Sequence, residues 1–271
     1  MQRLVQVLRL LFLLPFLISA LALHAGDSLV LIRSIPVKAR LFSTDPVGNV
    51  FMVKEDNSLL RLNSRGDSTG FFNEVRRGQI THIDATNPLR ILLFFGDYGE
   101  IVILDNILSK KSTLRLPAIG IFNVRCMANS ADGNIWVYES ASGTLLKINE
   151  EPSVVFSTPL RNFFNENPDP EFMAEQDRNL FMTDTIDGIR RFDQYAFYRN
   201  SYDFRPKEVQ FVNQYLIYYA APYLVSYHTG TLQEQRMLLP QPETIRQARI
   251  ERDRIYVLRE TSLDLYALPS R

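Results

Sequence analysis

Cysteine is nearly absent. Cys126 is the single cysteine in 271 residues, so no internal disulfide can form. A secreted eukaryotic domain of this size often carries several. Histidine is scarce too, at three, which leaves few imidazole ligands for a metal. There is no excess of charge: 30 basic residues balance 30 acidic ones. Nucleic-acid binding rests on a basic surface, so the balance argues against that class. The pairs Arg76-Arg77, Lys110-Lys111 and Arg190-Arg191 read as solvated edges of hairpins or loops, not phosphate sites. Beyond residue 25 no Asn-x-Ser/Thr acceptor occurs. The missing disulfides and acceptors together favour a bacterial periplasm or outer envelope over a eukaryotic secretory route.

Long apolar runs are absent except at the start. Arg3 and Arg9 precede a 14-residue apolar stretch, Leu10–Leu23, which ends in Ala22-Leu-His-Ala25. A basic segment, a short apolar core and a small residue at the boundary describe a secretory signal peptide over residues 1–25, cut between Ala25 and Gly26. An uncleaved anchor is the competing reading. The stretch is short against the roughly 20 residues that span a bilayer, and Pro15 interrupts it. No cysteine stands at the boundary to take a lipid. Cleavage removes Arg3 and Arg9 and no acid, leaving 28 basic residues of the 30 against 30 acidic ones, a net of −2.

The remaining chain, 26–271, repeats. Ser130-Ala-Asp-Gly-Asn-Ile-Trp-Val-Tyr-Glu-Ser-Ala-Ser-Gly-Thr-Leu-Leu-Lys-Ile-Asn149 reads as two strands, with Asp132-Gly133 as a two-residue turn before the first and Ser140–Gly143 between them. Matching first strands begin at Gly48, Leu89, Gly133, Arg178, Gln214 and Asp253, spaced 41, 44, 45, 36 and 39 residues apart. Four of the six following strands end in Asn or Asp (Asn63, Asp105, Asn149, Asp193), a side chain that bonds its own backbone into a turn. Runs such as Ile91-Leu-Leu-Phe-Phe95 are apolar on both faces, as strands packed between layers must be. A period near 40 made of short strands predicts an all-β, six-bladed β-propeller with four antiparallel strands per blade. A β-sandwich with regular strand spacing is the alternative. The sixth unit has only three strands, and Leu29–Ile35 is a strand without a unit. Pairing the two closes the ring and removes its open edges.

Candidate site residues are few. His82 and Asp84 alternate on one face of a predicted inner strand and form the best polar pair for the central channel. The plainer reading has each bonded to neighbouring backbone or to arginines, with no third metal ligand in sight. The longest irregular connection, Arg161–Glu171, is acidic and carries Phe163 and Phe164 beside Asn165, Glu166 and Asp169. Such loops bind partners on rigid scaffolds; the alternative is a phenylalanine pair tucked between blades. Cys126 reads as a small buried thiol. The aromatic stretch Tyr195–Tyr227 and Trp136 read mostly as filling between blades, with a partner surface as the other possibility.

Gly133-Asn-Ile-Trp-Val with Leu146-Lys-Ile-Asn149, and Asn179-Leu-Phe-Met-Thr-Asp with Ile189-Arg-Arg-Phe-Asp193, resemble the NHL repeat. The wider resemblance is to six-bladed propellers of the NHL and gluconolactonase-like (TolB-like) kind. The stretch Ile80–Asn106 is also similar to exported propellers of Bacteroidota-type bacteria, to which no activity attaches. Lactonase-like members imply a divalent metal held by a glutamate on the first inner strand; Val37-Lys-Ala-Arg-Leu-Phe-Ser-Thr44 offers no carboxylate. Lyase-type members imply metal-binding histidines and disulfides, and RNA-binding members a basic face; neither pattern is present here. The expectation is therefore a non-catalytic module without cofactor that binds protein partners in a bacterial cell envelope and has no membrane span after cleavage. The alternative is a channel-centred ligand receptor or metal-dependent hydrolase using His82 and Asp84 with an oxygen-held cation such as Ca²⁺. The leader reading is checked by N-terminal sequencing of the exported protein: a first residue of Gly26 supports it, and a retained Met1 rejects it.

Overall fold

The computed structural model describes residues 29–74 and 77–268. The leader 1–25, its boundary at Ala25–Gly26, and Arg76 lie outside the described residues. Six four-stranded antiparallel sheets form six blades. Strand β1 (Leu31–Pro36) comes first and is used last. Blade 1 is β2 (Ala39–Thr44), β3 (Val50–Lys54), β4 (Leu59–Leu62) and β5 (Ser68–Phe72). Blade 2 is β6 (Ile80–Asn87), β7 (Arg90–Phe95), β8 (Glu100–Leu104) and β9 (Lys110–Arg115). Blade 3 is β10 (Val124–Asn129), β11 (Ile135–Glu139), β12 (Thr144–Ile148) and β13 (Val154–Pro159). Blade 4 is β14 (Phe172–Gln176), β15 (Asn179–Asp184), β16 (Gly188–Asp193) and β17 (Tyr198–Tyr202). Blade 5 is β18 (Gln210–Val212), β19 (Tyr215–Ala220), β20 (Tyr223–His228) and β21 (Glu234–Leu238). Blade 6 is β22 (Ile245–Glu251), β23 (Arg254–Arg259) and β24 (Ser262–Ala267), completed by β1. The expected closure is present: Ile35 pairs with Leu263 and Ser34 with Asp264.

Local chemistry accounts for the turns. Asn63, Asp105 and Asp193 each accept the backbone N–H groups two and four residues ahead, and Asn149 accepts that of Ser153. These are the strand-ending residues that the repeat picks out. One reading needs correction. Asp132-Gly133 is not a two-residue turn. Ser130 N–H bonds to Asn134 C=O, and Gly133 closes back on Ser130 with a φ of +85°. Three residues, Ala131–Gly133, therefore span β10 and β11, with glycine at the left-handed position where a Cβ is costly.

The core is divided into six clusters, one at each blade boundary. Strand β7 shows why. It is buried throughout; Ile91, Leu93 and Phe95 join the cluster with blade 1, while Leu92 and Phe94 join the one with blade 3. Each such side chain contributes on the order of 1.5–3 kcal/mol by leaving water.

Polar bonds tie the blades near the axis. The inner edge of each first strand has no strand partner, and its backbone groups need bonds. Side chains from the neighbouring blade provide them. Gln247 accepts from Phe42 N–H at 2.9 Å and donates to Phe42 C=O at 2.7 Å. Gln210 does the same with Ile250, both at 2.9 Å. Asp84 accepts Asn129 N–H at 2.7 Å, Glu175 accepts Ala131 N–H at 3.1 Å, and Ser43 accepts Ala85 N–H at 3.4 Å. Gln176 accepts Phe211 N–H, so every boundary is bridged. Gln210→Ala strands two backbone groups of blade 6. A loss of about 1–3 kcal/mol in urea unfolding is expected, against less than about 0.5 kcal/mol for the exposed control Gln235→Ala.

Candidate functional site

The first strand of every blade runs along the axis, so the starts of these strands form one face, here the upper, and their ends the lower. A small cavity of about 180 Å³ lies in the upper channel, bordered by His82, Glu171, Met173, Glu208 and Arg249. A wider mouth of about 520 Å³ opens below, bordered by Thr86, Ser130, Glu175, Asn213 and Glu251. Arg249 lines both and stands between them.

The predicted channel pair is separated by its bonds. His82 Nε2 donates to the carbonyl of Glu171 at 3.1 Å, and Nδ1 lies 3.1 Å from Thr81 Oγ1. Desolvation holds the imidazole below its ordinary value; the Glu171 carbonyl opposes this and Arg125 adds to it. Asp84 is buried and turned to blade 3, where it holds Asn129 N–H; its other oxygen accepts Thr86 N–H at 2.8 Å and the Thr86 hydroxyl at 2.6 Å. Asp84 is thus a clamp between blades 2 and 3, while His82 faces the channel. Among the described residues no three His, Cys, Asp or Glu side chains are grouped to hold a metal ion.

The charged centre of the channel is a group the sequence did not single out. Arg249, buried, donates to Thr44 Oγ1 at 3.2 Å and pairs with Glu208 at 3.2 Å. Glu208 also accepts Gln247 Nε2 at 2.7 Å. Although 31% of the Glu208 side chain reaches channel water, desolvation raises its carboxyl above the usual range, and Arg249 and Gln247 offset part of that. Glu251 is raised too, again chiefly by burial.

Beside this centre, on the upper face between blades 5 and 6, lies a groove of about 820 Å³. Its walls include Phe204, Lys207 and Tyr218 on one side and Arg246 on the other, with Glu208 at the inner end. The groove exists because β18 is only three residues long, the shortest inner strand. One sequence signal points here: the spacing of 36 residues leading into blade 5 is the smallest of the five.

The Arg161–Glu171 loop is pinned. Phe163 and Phe164 pack edge-on against Phe192, with Tyr198 beside them at 6.2 and 5.0 Å, in the core between blades 3 and 4. The Arg190 guanidinium covers the Phe164 ring at 4.7 Å. Tyr138 donates to Pro168 C=O at 2.6 Å, and Asp184 accepts Asp169 N–H at 3.0 Å. Asn165, Glu166 and Asp169 remain exposed, and Asp169 pairs with Arg125 at 2.9 Å.

Cys126 is fully buried, and burial pushes its thiol far above the usual range. Trp136 is fully buried with the Lys147 ammonium 4.2 Å from its ring centre. Lys147 itself pairs with Asp132 at 2.8 Å. Burial acts to raise Asp132, but Lys147 and the Asn134 N–H outweigh it and hold the carboxyl at about 2. In the Tyr195–Tyr227 stretch, Phe211 and Tyr218 are buried while Tyr195 and Phe197 stand 63% and 60% exposed.

No protein-family description and no curated protein matches this chain. Solved structures do. The fold is a six-bladed β-propeller, similar in architecture to known propeller proteins. The Pan2 WD40 domain of Neurospora crassa aligns with a TM-score of 0.64 at 8% identity, over 90% of this chain and 96% of that one. A chain of the mitotic checkpoint complex aligns at 0.65 and 8% identity, over 92% and 94%. Virginiamycin B lyase from Staphylococcus aureus aligns at 0.61 and 12% identity, over 88% and 99%. At these identities the likeness is one of fold alone.

His82 generates a pH test. Its folded value lies below the 6.5 of a free imidazole, so between the two the unfolded chain binds more protons. That part of the stability is present above 6.5 and is lost as pH falls through the window. His82→Gln is expected to flatten this segment of the stability profile, measured by urea unfolding from pH 7.5 down to 5.

Proposed function

We propose that this chain is an exported, non-catalytic propeller that binds protein partners in a bacterial cell envelope. The observation that carries the reading is the placement of large apolar side chains at the tips of the lower-face loops. Leu89 (66% exposed), Ile107 (66%) and Leu232 (67%) lie there with Val47, Tyr195 and Phe197. These loops join first to second or third to fourth strands, so antiparallel pairing puts them all at one end of the ring. These side chains stand on four blades, and together they give the lower face more exposed apolar side chains than the upper. Tyr98, Phe122 and Ile186 give the upper face a smaller share. The leader pattern supports export, and the NHL-like blade motifs and the likeness to exported bacterial propellers agree with it. No helix among the described residues is long and apolar enough to cross a membrane. The exposed tips Asn165, Glu166 and Asp169 add a polar rim to the upper face, while Phe163 and Phe164 act by holding that loop in place.

The test is a tagged pull-down from gently solubilised native envelopes, read by mass spectrometry, with the Ile107→Glu/Leu232→Glu double variant alongside. A reproducible envelope protein that is retained by the wild type and lost with the variant is expected. Both positions are exposed, so each change costs less than about 0.5 kcal/mol of stability. A wild type that retains nothing above background rejects the scaffold reading. A variant that retains the same partner rejects the lower face as its seat.

A further inference from the structure

In five blades the first strand has five or more residues; in blade 5 it has three, Gln210–Val212. Its partner β19 has six. The ladder between them runs from Val212 opposite Tyr215 to Gln210 opposite Ile217 and stops. Tyr218, Tyr219 and Ala220 therefore have no strand on their inner side. Antiparallel backbone groups alternate in direction. The tight connection Asn213-Gln214 makes Tyr215 a bonded partner of β18, so Ile217 is one too. The next residue of that phase, Tyr219, aims its N–H and C=O into the groove.

The chain that would continue β18 is held elsewhere. Lys207 C=O accepts the Thr183 hydroxyl of blade 4 at 2.9 Å, and Arg205 Nε donates to Ile186 C=O at 2.7 Å. Pro206 between them has no N–H to offer a ladder. The segment thus leans on blade 4 and leaves the groove of about 820 Å³ between itself and β22. Four cations line it, Arg40, Arg205, Lys207 and Arg246, against one carboxylate, Glu208. Glu208 is already matched by Arg249 and Arg205 by Asp203. Lys207 has no carboxylate within ion-pair distance among the described residues. Arg40 has none either, although its Nη2 donates to Asn57 Oδ1 at 2.8 Å and to Ile80 C=O at 3.2 Å. Arg246 donates to Ala39 C=O at 3.3 Å and reaches Glu260 at 3.5 Å on the surface. In a chain of zero net charge, this is a local basic excess around an open strand edge.

We infer that this groove receives an extended, acidic segment of a partner protein, which adds a short strand to the free edge of β19 at Tyr218–Ala220. The inference rests on the protein-binding reading above and supplies one recognition element for it. Backbone bonds to Tyr219 give the segment its direction and register. Side chains on one face of the segment meet Arg246, and those on the other meet Lys207 and the Phe204 and Tyr218 rings, which lie 5.5 Å apart, so a carboxylate on either face finds a cation. Three residues of strand span about 10 Å, so the edge alone holds weakly and the charges set the choice of sequence.

The probe is a fluorescent, blocked heptapeptide alternating glutamate and valine, compared with its lysine–valine counterpart, titrated into the full exported chain. Saturable binding of the acidic peptide is expected, with the lysine peptide at least about tenfold weaker. The Tyr219 amide should gain protection from hydrogen exchange. Lys207→Glu and, separately, Arg246→Glu should each weaken the acidic peptide about tenfold while the thermal midpoint stays that of the wild type. Equal binding of both peptides, absence of binding, or binding without protection of Tyr219 overturns the inference. So does sedimentation that shows two copies of the chain pairing through this groove. A wild-type pull-down that succeeds equally with Lys207→Glu/Arg246→Glu sinks the groove and leaves the scaffold reading standing; a wild-type pull-down that fails sinks the scaffold reading itself.

Discussion

A propeller blade has a weakness at its inner edge. Its first strand pairs on one side only, and the other side meets the channel, where backbone N–H and C=O groups would be left unpaired. This chain meets that need from the next blade around the ring. Gln247, Gln210, Gln176, Glu175, Asp84 and Ser43 each accept a backbone N–H across a boundary, and the first two return a bond to the carbonyl as well. An unmade bond of this sort costs about as much as a buried methylene group or two contributes. The apolar wedges attract the blades to one another without direction; these polar bridges set how far one blade slides against the next.

The same requirement explains where the molecule is open. At blade 5 the inner strand is cut short because Lys207 and Arg205 are bonded to blade 4 and Pro206 cannot join a ladder. The edge of β19 is then unshielded, and the groove beside it leads to the Glu208–Arg249 pair in the channel. In the other five blades the first strand has five or more residues, and each blade boundary carries at least one side-chain-to-backbone bridge. On the lower face, by contrast, the loops that carry Ile107, Tyr195 and Phe197 are closed by Asp105 and Asp193, which accept backbone N–H groups within four residues.

The roles of particular residues divide according to the range of the interaction. Asn63, Asp105, Asn149 and Asp193 act on backbone within four residues, so their task was readable from position alone. Trp136 and the apolar run in β7 were readable because burial on both faces leaves a continuous apolar pattern. Asp84 was not: whether a carboxylate on an inner strand serves a ligand or a neighbouring N–H depends on a residue 45 positions away. Phe163 and Phe164 were ambiguous for the same reason, since their surroundings come from Phe192 and Tyr198 of another blade.

The sequence by itself determined the blade number, the strand order within blades and closure by the N-terminal strand, read there as Leu29–Ile35 and formed as Leu31–Pro36, because a period near 40 of short apolar strands favours a ring of blades over a sandwich and the three-stranded last unit leaves an edge for that strand. It also determined that charge is balanced and disulfides are impossible. Only the tertiary structure decided which polar side chains face the channel and which clamp a boundary, that Glu208 and Arg249 meet at the axis, and that β19 keeps a free edge. Those outcomes depend on contacts between blades 24 to 40 residues apart in the chain, where small differences in strand length and loop anchoring are not recorded in any local pattern.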